Sequence, residues 1–200
     1  MFSFLYPKSK EVVFWEWFER NSKKYLDFEN NQQILFENLK KELNKIHPYL
    51  VFEFSRKFED GSREFVISAD GIKTVFPYVE NLVESAPKIN KWKVVAFRQP
   101  RKITHINYLN LQIELDKVYF SYNEQDGDIN LSLFFENFYE SPEWTSATFI
   151  LLDNILGEYY SELYIGGVEK HKLNNDVIVK LLPIRQLFEI VKLHAIKMSN

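Results

Sequence analysis

Residues 118–135 read VYFSYNEQDGDINLSLFF, two runs of alternating apolar and polar side chains on either side of Asp126-Gly127. Asp and Gly tolerate the positive φ that a two-residue hairpin loop demands, so the stretch predicts a β-hairpin with strands over 118–123 and 129–135. Ser141 then stands as an N-cap before Pro142, a helical pattern follows to Gly157 as its C-cap, and YSELYIGGVE (160–169) closes the unit as a strand. Within that strand Gly166-Gly167 reads as a bulge, not as a phosphate cradle.

The same order stands upstream. VFEFS (51–55) and REFVIS (63–68) flank Asp60-Gly61, and a helix with Pro77 in its first turn carries Val79, Leu82, Val83 and Ala86 on its apolar face. WKVVAF (92–97), apolar on both faces, predicts a central strand. Alternation at Leu109, Leu111 and Ile113 adds a short strand between the halves. Two helices come first: SKEVVFWEWFERNSKKYLDF (9–28), with Phe14, Phe18 and Tyr25 on one face, and 31–46, stopped by His47-Pro48. A last helix from Pro183 presents Ile184, Leu187, Phe188, Val191 and Ala195.

These elements predict an α+β (mixed α/β) fold: two strand-strand-helix-strand units forming one mixed sheet of six or seven strands, with an N-terminal helical pair and a C-terminal helix packed on it. Within a single domain over 1–200, the helical pair takes 1–48, the first unit 49–100, the second unit with its linking strand 101–169, and the C-terminal helix 170–200. At 46% apolar and 26% charged, the 200-residue chain is long enough to bury a core without a staple. The segments REFVISADG (63–71), FPYVENLVESAP (76–87), WKVVAFRQP (92–100) and LLDNILGEY (151–159) together resemble an uncharacterised family of bacterial proteins. That resemblance implies a bacterial origin and a single domain, and it assigns no activity to any residue.

Charge is unevenly spread. Residues 118–169 carry ten acidic side chains and no Lys or Arg, whereas Lys88, Lys91, Lys93, Arg98, Arg101 and Lys102 form a stretch without an acid. Zero cysteines exclude thiol nucleophiles and thiolate metal centres and suit a reducing compartment. The four histidines are scattered, and no nucleophile elbow, phosphate loop or dinucleotide fingerprint occurs, so no cofactor and no metal is implied. Asp153 and Glu158, five apart across Gly157, do not share a helical face. MFSFLYPKSKEVV (1–13) lacks a signal-peptide apolar run and no stretch is apolar enough to span a bilayer, which predicts a cytoplasmic protein off the membrane. Trp92 and Phe97 interleave with the basic stretch, but they belong to the expected buried strand and the acidic half repels phosphate, so nucleic acid is disfavoured.

Two functional readings follow. The leading one is a non-enzymatic cytoplasmic protein-interaction or regulatory module with a basic protein partner. Its contact surface is Glu124, Asp126 and Asp128 of the acidic half together with Trp15 and Trp17, which fall roughly 160° apart on the first helix and so cannot both lie at the centre of its apolar face. The alternative is a small-ligand-binding protein or hydrolase-like enzyme whose pocket lies at the sheet edge where Ser68, Asp70 and Arg98 emerge from parallel strands.

Overall fold

Helix α1 (Lys10–Leu26) begins where the Ser9 hydroxyl accepts the Val12 N–H at 3.3 Å, and its Phe14, Trp15, Phe18 and Tyr25 are buried. In the computed structural model, which describes residues 7–174 and 178–199, α2 (Gln32–Asn44) follows and buries Leu39 and Leu43. Strands β1 (Val51–Phe54) and β2 (Arg63–Ser68) pair antiparallel about the Asp60-Gly61 turn, where Gly61 takes φ 77° and Asp60 Oδ1 accepts the Ser62 N–H at 2.9 Å. Helix α3 (Phe76–Glu84) crosses over to β3 (Trp92–Ala96), which lies parallel to β2. The order β1-β2-β3 makes β2 the central strand, so the sequence-based placement of 92–97 at the centre is corrected. Phe97 takes φ 61° directly after β3, a conformation that ends a strand, and Val94, Val95 and Ala96 are only half-buried.

Arg63, 2% exposed, fastens this first unit (residues 1–98) together. Its Nε–H donates to the Leu26 carbonyl at 3.0 Å, Nη1 to the Ser55 carbonyl at 2.7 Å and Nη2 to the Glu29 carboxylate, while the guanidinium lies 4.6 Å from the Phe28 ring centroid. A buried guanidinium needs such a full set of acceptors. Glu29 is held below the usual carboxylate range, first by its own backbone N–H and then by Arg63.

The second unit, residues 99–200, repeats the wiring. A separate hairpin, β4 (His105–Tyr108) and β5 (Leu111–Glu114), precedes β6 (Val118–Gln125) and β7 (Asp128–Phe135). Asp126 and Gly127 both take positive φ, 55° and 90°, as a two-residue loop of this kind requires. Helix α4 (Pro142–Tyr164) starts at Ser141, whose hydroxyl accepts the Trp144 N–H at 3.4 Å, and leads to β8 (Ile165–Lys172), parallel to β7. In both units, therefore, a hairpin is followed by a helix that returns the chain parallel to the hairpin's second strand. Leu182–Pro183, here β9, adds an edge strand to β6, and α5 (Leu187–Met198) buries Leu187, Val191, His194 and Ala195.

Two further sequence expectations change. Instead of one sheet of six or seven strands, the described residues form sheets of three, two and four strands (β1-β2-β3, β4-β5 and β8-β7-β6-β9). The hairpins β1-β2 and β6-β7 each share a sheet with their own crossover strand, β4-β5 stands alone, and Phe97 and Pro100 remove the extended backbone and the amide donor that would carry the first sheet onward. Gly157, at φ 74° and ψ 163°, breaks the helix where the sequence placed its end, but the residues after it form a second helical stretch to Tyr164 instead of the strand expected from residue 160, with Tyr160 packed edge-on against Phe188 and Tyr164 against His194, both on α5.

Gly127→Ala is expected to cost about 1–2 kcal/mol, because φ is 90° there and a Cβ would sit 3.2 Å from Met198 Cε; an unchanged urea midpoint would contradict this. Tyr25 gives a pH test. Burial, with the Glu42 carboxylate adding to it, pushes its phenol up to about 12, and the hydroxyl donates to the Leu35 carbonyl at 3.0 Å. The unfolded phenol ionises near pH 10, so the neutral form favours the fold below that and the contribution disappears as pH rises through about 12. Tyr25→Phe is expected to flatten the stability profile between about pH 10 and 12 in urea titrations followed by fluorescence.

Candidate functional site

At the carboxyl ends of the parallel strands β2 and β3, the first unit assembles the predicted trio. Ser68 is fully buried, and its hydroxyl accepts the Asp70 N–H at 3.0 Å. Asp70 and Gly71 take φ 51° and 79°, turning the chain away from the sheet. Arg98 Nη2 donates to Asp70 Oδ1 at 3.0 Å, as the strand geometry implied, and Arg98 Nε donates to Glu53 Oε1 on β1, a partner the sequence reading did not include. One guanidinium is thus engaged by two carboxylates. Ser68 holds a turn and is out of reach of substrate. This geometry ties three chain segments together and offers no nucleophile.

The second unit offers a different surface. Along β7, Ile129, Leu131, Leu133 and Phe135 are at most 1% exposed, facing the core under α4, and the alternate residues Asp128, Asn130, Ser132 and Phe134 face outward. Register brings Asn123 of β6 beside Asn130, and Ser121 beside Ser132. Asn130 Nδ2 donates to Asn123 Oδ1 at 3.3 Å, while Asn130 Oδ1 accepts the Gly167 N–H at 2.7 Å. The β8 strand bulges at this point: the two-residue step from Ile129 to Leu131 on β7 is matched by a three-residue step from Ile165 to Val168 on β8. The glycines at the bulge are a packing necessity, since a Cβ on Gly166 or Gly167 would come within 2.9 or 3.0 Å of Asn130 Oδ1. The result is a cavity of about 290 Å³ on the outer face, floored by Asn123, Asn130 and Ser132 and edged by Gln125, Gly167 and Glu169. Glu169 lies at its rim with His171 Nε2 3.3 Å away, and Phe134 stacks on the His171 ring.

The remaining sequence candidates separate. Trp15 is 1% exposed and its Nε1–H donates to the Leu82 carbonyl at 2.7 Å, so it belongs to the core and not to a contact surface. Trp17 is half-buried against Tyr25. Asp126 sits exposed in the hairpin loop and Asp128 on the outer face beside the groove. Glu124, in register with Ile129, lies toward α5 instead, its carboxylate 3.4 Å from His194 Nδ1. Asp153 is exposed and Glu158 is buried at the α4 kink. Among the described residues no three metal-ligating side chains gather, and no helix is long and apolar enough to cross a membrane.

Compared with protein-family models, curated proteins and solved structures, the chain matches none of them, so the geometry alone carries the functional reading. Asn130 was missed in the sequence because its role is set by cross-strand register. The signal was present in Gly166-Gly167, which marks a close approach once the pairing with β7 is known.

Arg98→Ala is expected to lower stability by about 0.5–1 kcal/mol, because it removes two part-exposed, solvent-screened ion pairs, to Glu53 and Asp70; chemical denaturation reads this, and an unchanged midpoint would show the rim to be slack.

Proposed function

We propose that the chain is a non-enzymatic protein-interaction module and that the outer face of the second unit's sheet takes a basic, extended segment of a partner protein. The observation that carries this reading is the amide-floored groove of about 290 Å³ beside Asp128 and Glu169, on a surface whose residues 118–169 include no Lys or Arg. Asn and Gln side chains offer both donors and acceptors to a peptide backbone, and the carboxylates select for Lys or Arg and steer its approach. Asp126, in the adjoining loop, extends the negative edge. The Asp70 and Arg98 rim supports the alternative enzymatic reading less well, because its cation is already matched by two carboxylates and its serine is buried.

Titrating an octa-lysine peptide into ¹⁵N-labelled protein at about 20 mM salt is expected to move the resonances of Asn123, Asn130, Gly167 and Glu169, and the shifts are expected to vanish near about 500 mM salt. The double variant D128K/E169K is expected to weaken binding at least about tenfold, which corresponds to one or two screened contacts. A footprint elsewhere, equal binding of an octa-glutamate peptide, or indifference to the double variant would overturn the reading.

A further inference from the structure

Helix α5 turns one side to the core of the second unit and the other to solvent. Leu187, Val191, His194 and Ala195 are buried, and His194 Nε2 lies 2.8 Å from the Gly127 carbonyl oxygen, so the rotation of the helix about its own axis is fixed. At about 100° per residue, Glu189, Leu193, Ile196 and Lys197 share the opposite side within an arc of about 100°. All four are exposed. Leu193 is 59% and Ile196 52% accessible, two large apolar side chains less than one turn apart on a helix that cannot roll to hide them. A single exposed leucine is ordinary, whereas a pair held in one stripe between two charges is a defined surface.

The order of charges along the stripe gives it a direction. Glu189 stands four residues before Leu193 and Lys197 four residues after it. Among the described residues neither of the two has an ion-pair partner within the chain. Relative to Leu193 they lie about 40° to either side of the helix face, and Lys192, about 100° from Leu193, points away from it. Turned end for end about an axis through Leu193, the stripe shows Lys197 where it had shown Glu189, and Glu189 where it had shown Lys197. The surface is therefore complementary to itself.

We propose that this face of α5 pairs with the same face of a second copy of the chain, antiparallel, about a two-fold axis at Leu193. In that arrangement Leu193 meets its own copy, Ile196 packs beside it, and each Glu189 stands level with the other copy's Lys197. Helices in contact lie about 8–10 Å apart, and across that distance a lysine reaches a carboxylate set about 40° to the other side. A parallel pair would set Glu189 against Glu189 and Lys197 against Lys197. An acidic partner helix would match Lys197 and repel Glu189, and a basic one would do the reverse, so charge complementarity at both ends selects the chain itself. Opposed helix macrodipoles favour the same orientation. At 12 residues α5 is about 18 Å long and buries less than the roughly 1,200–2,000 Å² of a standard stable interface, so the self-association is weak, with a Kd of about 100 μM. This surface is distinct from the groove beside Asn130 and does not depend on it.

Sedimentation velocity of the full chain from about 10 μM to 1 mM, at about 50 mM salt, is expected to show the monomer passing toward a dimer with rising concentration. Glu189→Lys alone and Lys197→Glu alone each set like charges across the axis and are expected to weaken the association at least about tenfold. Two samples then restore opposite charges at both ends: the double variant E189K/K197E, and an equimolar mixture of the two single variants. Both are expected to associate within about threefold of the unaltered chain. Leu193→Asn, at an exposed position, is expected to leave the chain monomeric. A chain that stays monomeric to about 1 mM, the result expected if α5 docks on a different protein, would overturn the proposal. So would association that both single variants leave unchanged, or a mixture that associates no better than its components.

Discussion

The one-sided burial of β7 governs the second unit. Four inward side chains at alternate positions, Ile129, Leu131, Leu133 and Phe135, pack against α4 and α5, and removing any one to Ala would cost about 2–5 kcal/mol. A one-residue slip of register would send all four to the other face. The hairpin loop at Asp126-Gly127 fixes that register, and once it is fixed Asn130 has no choice but to face outward, toward Gly167 on β8. The polar groove is thus a by-product of the core in its position and a product of amide and carboxylate chemistry in its character.

The first unit uses the same wiring with a different emphasis. Its sheet is backed by aromatic packing, with Phe18 and Phe65 centroids 4.7 Å apart and Trp92 5.3 Å from Phe18, and its buried polar group is the multiply bonded Arg63. At the carboxyl ends of its strands the residues are committed to one another: Ser68 to the Asp70 amide, Asp70 and Glu53 to Arg98. On the outer face of the second unit's sheet, Asp128 and Glu169 flank the groove, within a stretch, residues 118–169, that holds no Lys or Arg. Similar topology therefore yields unlike surfaces, because the surface is written in the outward positions that packing leaves free.

Local chemistry was legible in the sequence wherever a residue's own conformational preference set the outcome. Asp60-Gly61 and Asp126-Gly127 announced two hairpins, Ser141 the start of α4, and Gly166-Gly167 the bulge. The parallel return strands also followed, and with them the meeting of Asp70 and Arg98. What escaped was anything decided by distant partners. Gly157 breaks the helix where the sequence placed its end, but the helical stretch that follows to Tyr164, packed on α5 some thirty residues on, read as the start of a strand. The apolar faces of 92–97 suggested a strand between two neighbours, but the positive φ of Phe97 and the pairing preference of β2 left it at an edge. Nothing in the sequence singled out Arg63, since its acceptors at Leu26, Glu29 and Ser55 are brought to it by the fold.

The central claim, that β7 divides a dry inner face from an open polar one, is most directly measured by NMR with a soluble paramagnetic probe. The account predicts strong relaxation enhancement at the side-chain amides of Asn123 and Asn130 and at Gly167, with the methyl groups of Ile129, Leu131 and Leu133 unaffected. Uniform enhancement along the strand, or protection of Asn130 with exposure of the leucine methyls, would contradict it.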